Sequence, residues 1–225
     1  MPNGKLILAG VTLVVSLGLA PPTAPFAVAS IRLEQNATDG DFEVVVEAKG
    51  GEDGLTRLTV VAPDGRTVVD LTAPDASTLG VRQFRFESPE PSNAAKLKAA
   101  YPAGVYTFSG STAGGVKLSG TATLSHALPA PASVIRPAAD ARDVAIRDVG
   151  ISWTPVTNLA AYIVYVENHE LDVEITARLP ATAASFAVPN GFLVPGKEYT
   201  LGIGTVTRDG NMSFVETAFT TAWKE

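Results

Sequence analysis

The chain has 225 residues, of which 46% are apolar and 18% charged, so it can bury a hydrophobic core and form one large or two small domains. Its 17 basic and 23 acidic residues give a net charge of −6, which argues against nucleic acid as the main partner because phosphate binding needs a basic surface. The absence of cysteine excludes disulfides and thiolate chemistry, and two histidines leave little material for histidine-based sites.

The N-terminus has the pattern of an export signal. Lys5 is followed by an uncharged apolar run over residues 6–20, and Ala27-Val28-Ala29 fits a small-x-small cleavage motif. At about 1.5 Å per residue the run reaches roughly 22 Å, which is short of the ~30 Å hydrocarbon core of a bilayer. We therefore predict a signal peptide over residues 1–29, cut between Ala29 and Ser30. The mature protein is expected to be secreted or periplasmic, without membrane insertion; an uncleaved anchor is the alternative.

Residues 30–126 have the pattern of a series of short strands. Apolar and polar residues alternate over 42–49, 57–62 and 116–125, a pattern typical of antiparallel strands with one buried face. Turn sequences such as Pro63-Asp64-Gly65 separate these segments. We therefore predict a first β-sandwich over residues 30–126, which resembles an immunoglobulin-like domain.

One segment of this first half departs from the strand pattern. Residues 92–100 predict a short helix capped by Ser92 and anchored on the core by Leu97. Residues 127–131, which are rich in proline and alanine, predict an extended linker to a second domain over 132–225.

Five segments of the second half follow one another in a recognisable order. They are Val149–Pro155, with a tryptophan and a proline, Tyr162–Val166, the leucine–proline–tyrosine segment Leu193–Tyr199, the strand pattern Tyr199–Val206 and the turn segment Asp209–Ser213. In this order they resemble the second strand, third strand, tyrosine corner, sixth strand and last hairpin of a fibronectin type III domain, and the resemblance covers residues 132–222. The resemblance implies an all-β fold of two antiparallel β-sandwich domains in tandem. Trp153 is expected in the core, and the Tyr199 hydroxyl is expected to bond backbone near the Leu193–Gly196 turn. Pro102–Phe108 echoes Pro195–Leu201, so both are predicted to begin a sixth-to-seventh strand hairpin.

Candidate binding residues lie in loops that we place together at one end of the second domain. The loops are Thr157–Ala160, Asn168–Asp172 and Thr207–Asn211, and the candidate residues are Asn168, His169, Arg208, Asp209 and Asn211. Loops on a rigid sandwich are its usual recognition surface. The chain contains no Arg-Gly-Asp sequence, so nothing supports that adhesive mechanism.

No catalytic, cofactor-binding or metal-binding residue is predicted. His126 and His169 are the only possible histidine bases, and both fall at strand ends or turns without a nucleophile motif. The acidic stretch over residues 34–53 matches no known calcium loop, and whether it binds calcium stays open.

These observations favour a non-catalytic exported interaction or structural protein that binds a protein or a glycan through sandwich loops or edges. The alternative is a carbohydrate-binding or accessory module of a secreted polysaccharide-processing system, which would need an exposed aromatic strip with Trp223 as a candidate member. A hydrolase that uses paired carboxylates is a third possibility, because the separation of such groups is spatial and is not readable from the sequence.

Overall fold

The computed structural model describes residues 23–73, 79–90 and 93–223. The predicted signal run over residues 6–20 lies outside this part of the chain. The elements in chain order are β1 (Ala24–Pro25), β2 (Val28–Asn36), β3 (Asp41–Lys49), β4 (Leu55–Val61), β5 (Thr67–Thr72), β6 (Gln83–Glu87), α1 (Ala94–Ala100), β7 (Gly104–Thr112), β8 (Lys117–Leu124), β9 (Val134–Arg136), β10 (Ala141–Val144), β11 (Gly150–Trp153), β12 (Ala161–Asn168), β13 (Val173–Pro180), β14 (Ser185–Ala187), β15 (Glu198–Val206) and β16 (Met212–Thr221). The predicted all-β fold is confirmed.

The first half forms a sandwich around its own core. One layer has the strand order β2-β3-β6, and the other has the order β1-β8-β7-β4-β5. The strands alternate as the sequence predicts: Val44, Val46 and Ala48 are buried, whereas Glu43 and Glu47 lie on the outer face. The apolar face of each layer therefore packs against the apolar face of the other layer.

The second half forms another sandwich with the same strand plan. One layer has the order β14-β11-β9, and the other has β13-β12-β15-β16. The predicted second, third and sixth strands coincide with β11, β12 and β15, and the predicted last hairpin joins β15 to β16. Trp153 is buried as predicted and packs against Tyr162, with the ring centroids 5.2 Å apart. The indole thus fills the space between the two layers.

A buried tyrosine fixes the turn before the sixth strand in each half. The Tyr199 hydroxyl accepts a hydrogen bond from the Val194 backbone N–H at 3.0 Å. In the first half the Tyr106 hydroxyl donates to the Pro102 carbonyl at 3.0 Å. Both rings are fully buried, so the sequence echo between the two halves corresponds to the same structural device.

The helix forms where it is predicted, but its cap is one residue later. Asn93 caps α1, because its Oδ1 accepts a hydrogen bond from the Lys96 N–H at 3.0 Å. The predicted cap, Ser92, lies outside the described residues. Leu97 is buried against the first core, as predicted. No helix in the described ranges is long and apolar enough to cross a membrane.

The predicted cut between Ala29 and Ser30 falls inside a strand of the first sandwich. Both residues lie inside β2, where Ala29 pairs with Ala48 and Ser30 with Glu47. Phe26, which precedes the cut, is a member of the first core and is 8% exposed. The fold of the first sandwich therefore includes residues that the prediction assigned to the signal peptide.

The two sandwiches share one continuous sheet. Strand β16 of the second half pairs in parallel with β2 of the first, with Met212–Phe214 beside Glu34–Asn36. The resulting sheet has eight strands, seven of them in the order β13-β12-β15-β16-β2-β3-β6, and β10 pairs with β16 beside this path. We call the β16–β2 contact the seam. Because backbone hydrogen bonds cross it, the seam restricts rotation of one half against the other.

Candidate functional site

The turn between β2 and β3 extends the seam beyond the paired strands. The Ala37 N–H donates to the Phe214 carbonyl at 2.8 Å, and the Glu216 N–H donates to Thr38 Oγ1 at 2.9 Å. Asn36 Nδ2 donates to Glu216 Oε2 at 2.8 Å and to Asp39 Oδ2 at 3.1 Å. This turn, which lies in the acidic stretch over residues 34–53, therefore docks the first half on the second.

Asn211 forms hydrogen bonds with three parts of the chain at the end of the seam opposite the β2–β3 turn. Its Oδ1 accepts the Leu33 backbone N–H at 2.9 Å, and its Nδ2 donates to the Ser125 and Ala127 carbonyls, each at 3.0 Å. Its Nδ2 also lies 2.9 Å from Ser125 Oγ. Because the side chain is 1% exposed, these bonds replace water entirely and belong to the interdomain contact.

The linker between the halves is held along its length. Ser213 Oγ donates to the Pro129 carbonyl at 2.8 Å, and Thr205 Oγ1 donates to the Ala130 carbonyl at 2.9 Å. Leu128 packs on the first core. The extended segment predicted from composition is therefore hydrogen-bonded to the second sandwich through its carbonyl groups. These bonds restrict its motion in addition to the restriction that its prolines impose.

A cleft of about 450 Å³ opens on the outer face of the sheet beside the seam. Both halves contribute to it, and no lysine, arginine or histidine is among its lining residues. These residues are Glu34, Gln35, Asn36, Asp39, Asp41, Phe42, Glu43 and Glu90 from the first half, and Tyr165, Phe214 and Glu216 from the second. We call this site the seam cleft.

The aromatic wall of the seam cleft depends on two glycines in β15. A Cβ at Gly202 would lie 2.0 Å from the Tyr165 ring, and a Cβ at Gly204 would lie 2.5 Å from the Phe214 ring. Both rings therefore lie against the bare backbone of β15, with their centroids 6.3 Å apart. The Tyr165 hydroxyl donates to the Glu216 carboxylate, which fixes the ring beside the seam.

Six carboxylates line the seam cleft, and they differ in how they are compensated. Glu34 pairs with Arg32 at 2.5 Å and lies 4.0 Å from Arg85, whereas Glu216 accepts hydrogen bonds from Tyr165 and Asn36. In the described part of the chain, the remaining acids make fewer such bonds: Asp41, Glu43 and Glu90 have neither an ion pair nor a side-chain hydrogen bond. The carboxylates of Asp41 and Glu90 are therefore available to a ligand.

Glu43 is the most perturbed of these acids. It lies directly across the strand pair from Glu34, so two carboxylates face each other on the same surface. Partial burial, followed by the carboxylates of Glu87 and Glu34, raises the pKa of Glu43 to about 7. A cation placed in the cleft would relieve this repulsion.

Two of the five predicted binding residues are buried and internally bonded. Asn168 is 3% exposed; its Nδ2 donates to the Glu198 carbonyl at 2.8 Å and its Oδ1 accepts the Leu171 N–H at 2.7 Å. Asn211 holds the interdomain contact described above. Both side chains are buried and hydrogen-bonded within the protein, so this structure does not expose their amides to a ligand, and their role in binding stays a prediction.

The predicted loops do not lie at one end. In the β12–β15 ladder, Ala161 pairs with Val206, whereas Glu167 pairs with Thr200. Loop Thr157–Ala160 therefore lies beside loop Thr207–Asn211, and loop Asn168–Asp172 lies at the opposite end of the sheet. The end with Asn211 also faces the first half, which covers part of it.

The other three predicted residues are exposed, and their role in binding stays a prediction. His169 is 81% exposed, with Nε2 3.4 Å from Glu167. Arg208 and Asp209 are at the tip of the β15–β16 hairpin. Trp223, the candidate sugar platform, is 77% exposed and lies against Gly196, away from the seam cleft.

Neither histidine is placed beside the cleft. His126 Nε2 lies 2.8 Å from the Tyr101 carbonyl, in the first half. Within the described residues, no group of three or more histidine, aspartate or glutamate side chains could hold a metal ion. The chemical capacity of the seam cleft is therefore that of carboxylates and aromatic rings.

Comparisons with known proteins return structures but no sequence relatives. No family model matches the chain, and no curated protein matches it significantly. A segment of chicken CNTN1 with domains FN1–FN3 has a TM-score of 0.35 and 10% identity over 90% of this chain, which spans 66% of that one. Fibronectin(III)-like modules of Clostridium thermocellum CbhA have a TM-score of 0.35 and 9% identity, over 87% of this chain and 91% of theirs.

A two-domain fibronectin type III segment of chicken tenascin has a TM-score of 0.32 and 16% identity, over 85% of this chain and 97% of its own. All three are fibronectin type III structures. The strand order and registers of the molecule itself carry the assignment of two sandwiches.

Proposed function

We propose that the protein is a non-catalytic exported interaction module that holds a positively charged segment of a partner protein in the seam cleft. The observation that carries this proposal is the composition of the cleft: six carboxylates and three aromatic rings, supplied by both sandwiches, with no basic residue among them. Both halves supply lining residues, so the site requires the two sandwiches to be joined.

A lysine or arginine side chain is complementary to this lining in two ways. Its cationic head can lie over the faces of Tyr165 and Phe214, an interaction worth about 0.5–2 kcal/mol. The carboxylates of Asp41 and Glu90, which form no ion pair, line the same space and attract the charge more strongly than they would in bulk water. Glu43, whose pKa is raised to about 7, adds its charge as it ionises. A neutral or anionic ligand would gain neither contribution.

Carboxylates and rings also line sugar-binding sites, so a glycan is the second candidate. The specific observation in its favour is the aromatic wall formed by Tyr165 and Phe214. A glycan would bind through its hydroxyl groups, which makes its affinity much less dependent on salt than that of a basic peptide.

The experiment compares an array of lysine- and arginine-rich peptides with a glycan array, using the full protein. We expect binding to basic peptides, weakened at least about tenfold by Asp41→Asn combined with Glu90→Gln, and weakened further by raised salt. The matched control is Glu174→Gln, which removes one charge from exposed β13 outside the cleft. Binding of glycans alone supports the second candidate, and equal loss in the control variant contradicts the site.

A further inference from the structure

Residues 23–29 are built into the first sandwich. β1 adds a strand to the β8 edge, with Ala24 beside Leu118 and Pro25 beside Ser119. The Ala27 N–H then donates to the Lys49 carbonyl at 2.9 Å. The segment thus contacts both layers of the sandwich, because β8 and β3 belong to different sheets.

Phe26 supplies an aromatic side chain to the core between those layers. Its ring meets Phe108 edge to face, with the centroids 6.2 Å apart. A Cβ at Gly110 would lie 2.9 Å from the Phe26 ring, and one at Gly120 would lie 3.4 Å from it. Strands β7 and β8 have glycine at the two positions that contact the Phe26 ring, so the first core leaves room for this ring.

We propose that the mature protein retains Thr23–Ala29, and that any cut that removes the apolar N-terminal run falls before Thr23. A cut after Ala29 would remove β1, the Phe26 ring and the first two residues of β2. It would leave an open space beside Phe108 and an unpaired edge on β8, both of which destabilise a sandwich. The small-x-small motif at Ala27–Ala29 then forms the start of β2 and the residue before it, and is not a processing signal.

The test is the intact mass of the protein after secretion from a bacterial host that expresses the full chain. We expect a mass that includes Thr23–Ala29, whether the preceding residues are removed or kept. A mature chain that begins at Ser30 would overturn the proposal. This measurement does not depend on ligand binding, so it is independent of the proposed function.

A second measurement on the secreted protein keeps the inference falsifiable. Phe26→Ala should lower the Tm by about 10 °C, and Phe26→Leu by a smaller amount, because the ring fills a closed site. The control is Ala27→Ser, whose side chain is exposed in the same segment and should leave the Tm unchanged within about 1 °C. If both Phe26 variants melt with the parent, the residue is absent from the mature protein and the proposal is wrong.

Discussion

The two sandwiches share a strand plan but fill their interiors differently. The second is closed by Trp153 on its own second strand, packed on Tyr162. The corresponding strand of the first, β3, carries the aliphatic residues Val44 and Val46 inside, and an aromatic ring comes from Phe26 ahead of β2. The comparison shows that equal topology does not require equal core residues: volume missing from one strand can be supplied by an adjoining segment.

The outer faces of the two halves differ as well, and their difference creates the seam cleft. The second half contributes the rings of Tyr165 and Phe214, which need the glycines of β15. The first half contributes five of the six carboxylates: four from β2, β3 and the turn between them, and Glu90, which follows β6. Neither half alone has both features, so the candidate site belongs to their junction.

The largest expected effect is the loss of the indole that closes the second core. Trp153→Ala should destabilise that sandwich by about 3–5 kcal/mol, because a 1%-exposed side chain leaves a cavity that its neighbours fill only in part. Urea unfolding followed by circular dichroism measures the change. Trp223→Ala is the control, since that ring is 77% exposed. A variant as stable as the parent would show that the second core does not depend on its tryptophan.

A smaller effect is expected at the contact that makes the halves one unit. Asn211→Ala leaves the Leu33 N–H and the Ser125 and Ala127 carbonyls without their partner, which should cost about 1–3 kcal/mol. Calorimetry should show the two sandwiches unfolding more separately than in the parent. Asp209→Ala, at the exposed tip of the same hairpin, is the control. Unchanged melting of the Asn211 variant would mean that the strand pairing holds the halves without it.

The smallest effect concerns the acidic surface of the first half. The pKa of Glu43 is raised from 4.5 to about 7, so the stability that its protonated form contributes is fully present below pH 4.5 and is lost as the pH rises through 7. The groups facing it are Glu87, Glu34, Arg85 and Glu90. Glu43→Gln should remove this loss and be more stable than the parent at pH 8, by on the order of 1 kcal/mol after allowance for solvent screening.

Urea unfolding at pH 5, 6, 7 and 8 tests this prediction. The parent should lose free energy of unfolding relative to the Glu43→Gln variant as the pH rises. The free energy of unfolding of Glu174→Gln, a change on an exposed edge strand, should follow the same pH dependence as that of the parent. Parallel curves for Glu43→Gln and the parent would contradict the raised pKa.

Local patterns in the sequence determined the elements of this protein. The period-two alternation of β3, β4 and β8 depends only on neighbouring residues, and so do the turns between strands. The tryptophan of β11 and the two proline-to-tyrosine segments could be predicted for the same reason. Each of these motifs is formed by residues that lie close together in the chain. The Asn168 bond to Leu171 is equally local, and an asparagine at the start of a turn was the available signal for it.

Only the tertiary structure decided how the two halves meet and where the candidate site lies. Asn211 bonds to Leu33, which is 178 positions away in the chain, and Asn36 bonds to Glu216 across 180. A periodic pattern in the sequence does not identify such distant partners. The sequence therefore predicts an exposed loop at Asn211, whereas its side chain forms hydrogen bonds across the seam. Likewise the cleavage motif at Ala27–Ala29 is a local pattern. Its place at the start of β2 follows from a core that assembles only when distant strands pack around Phe26.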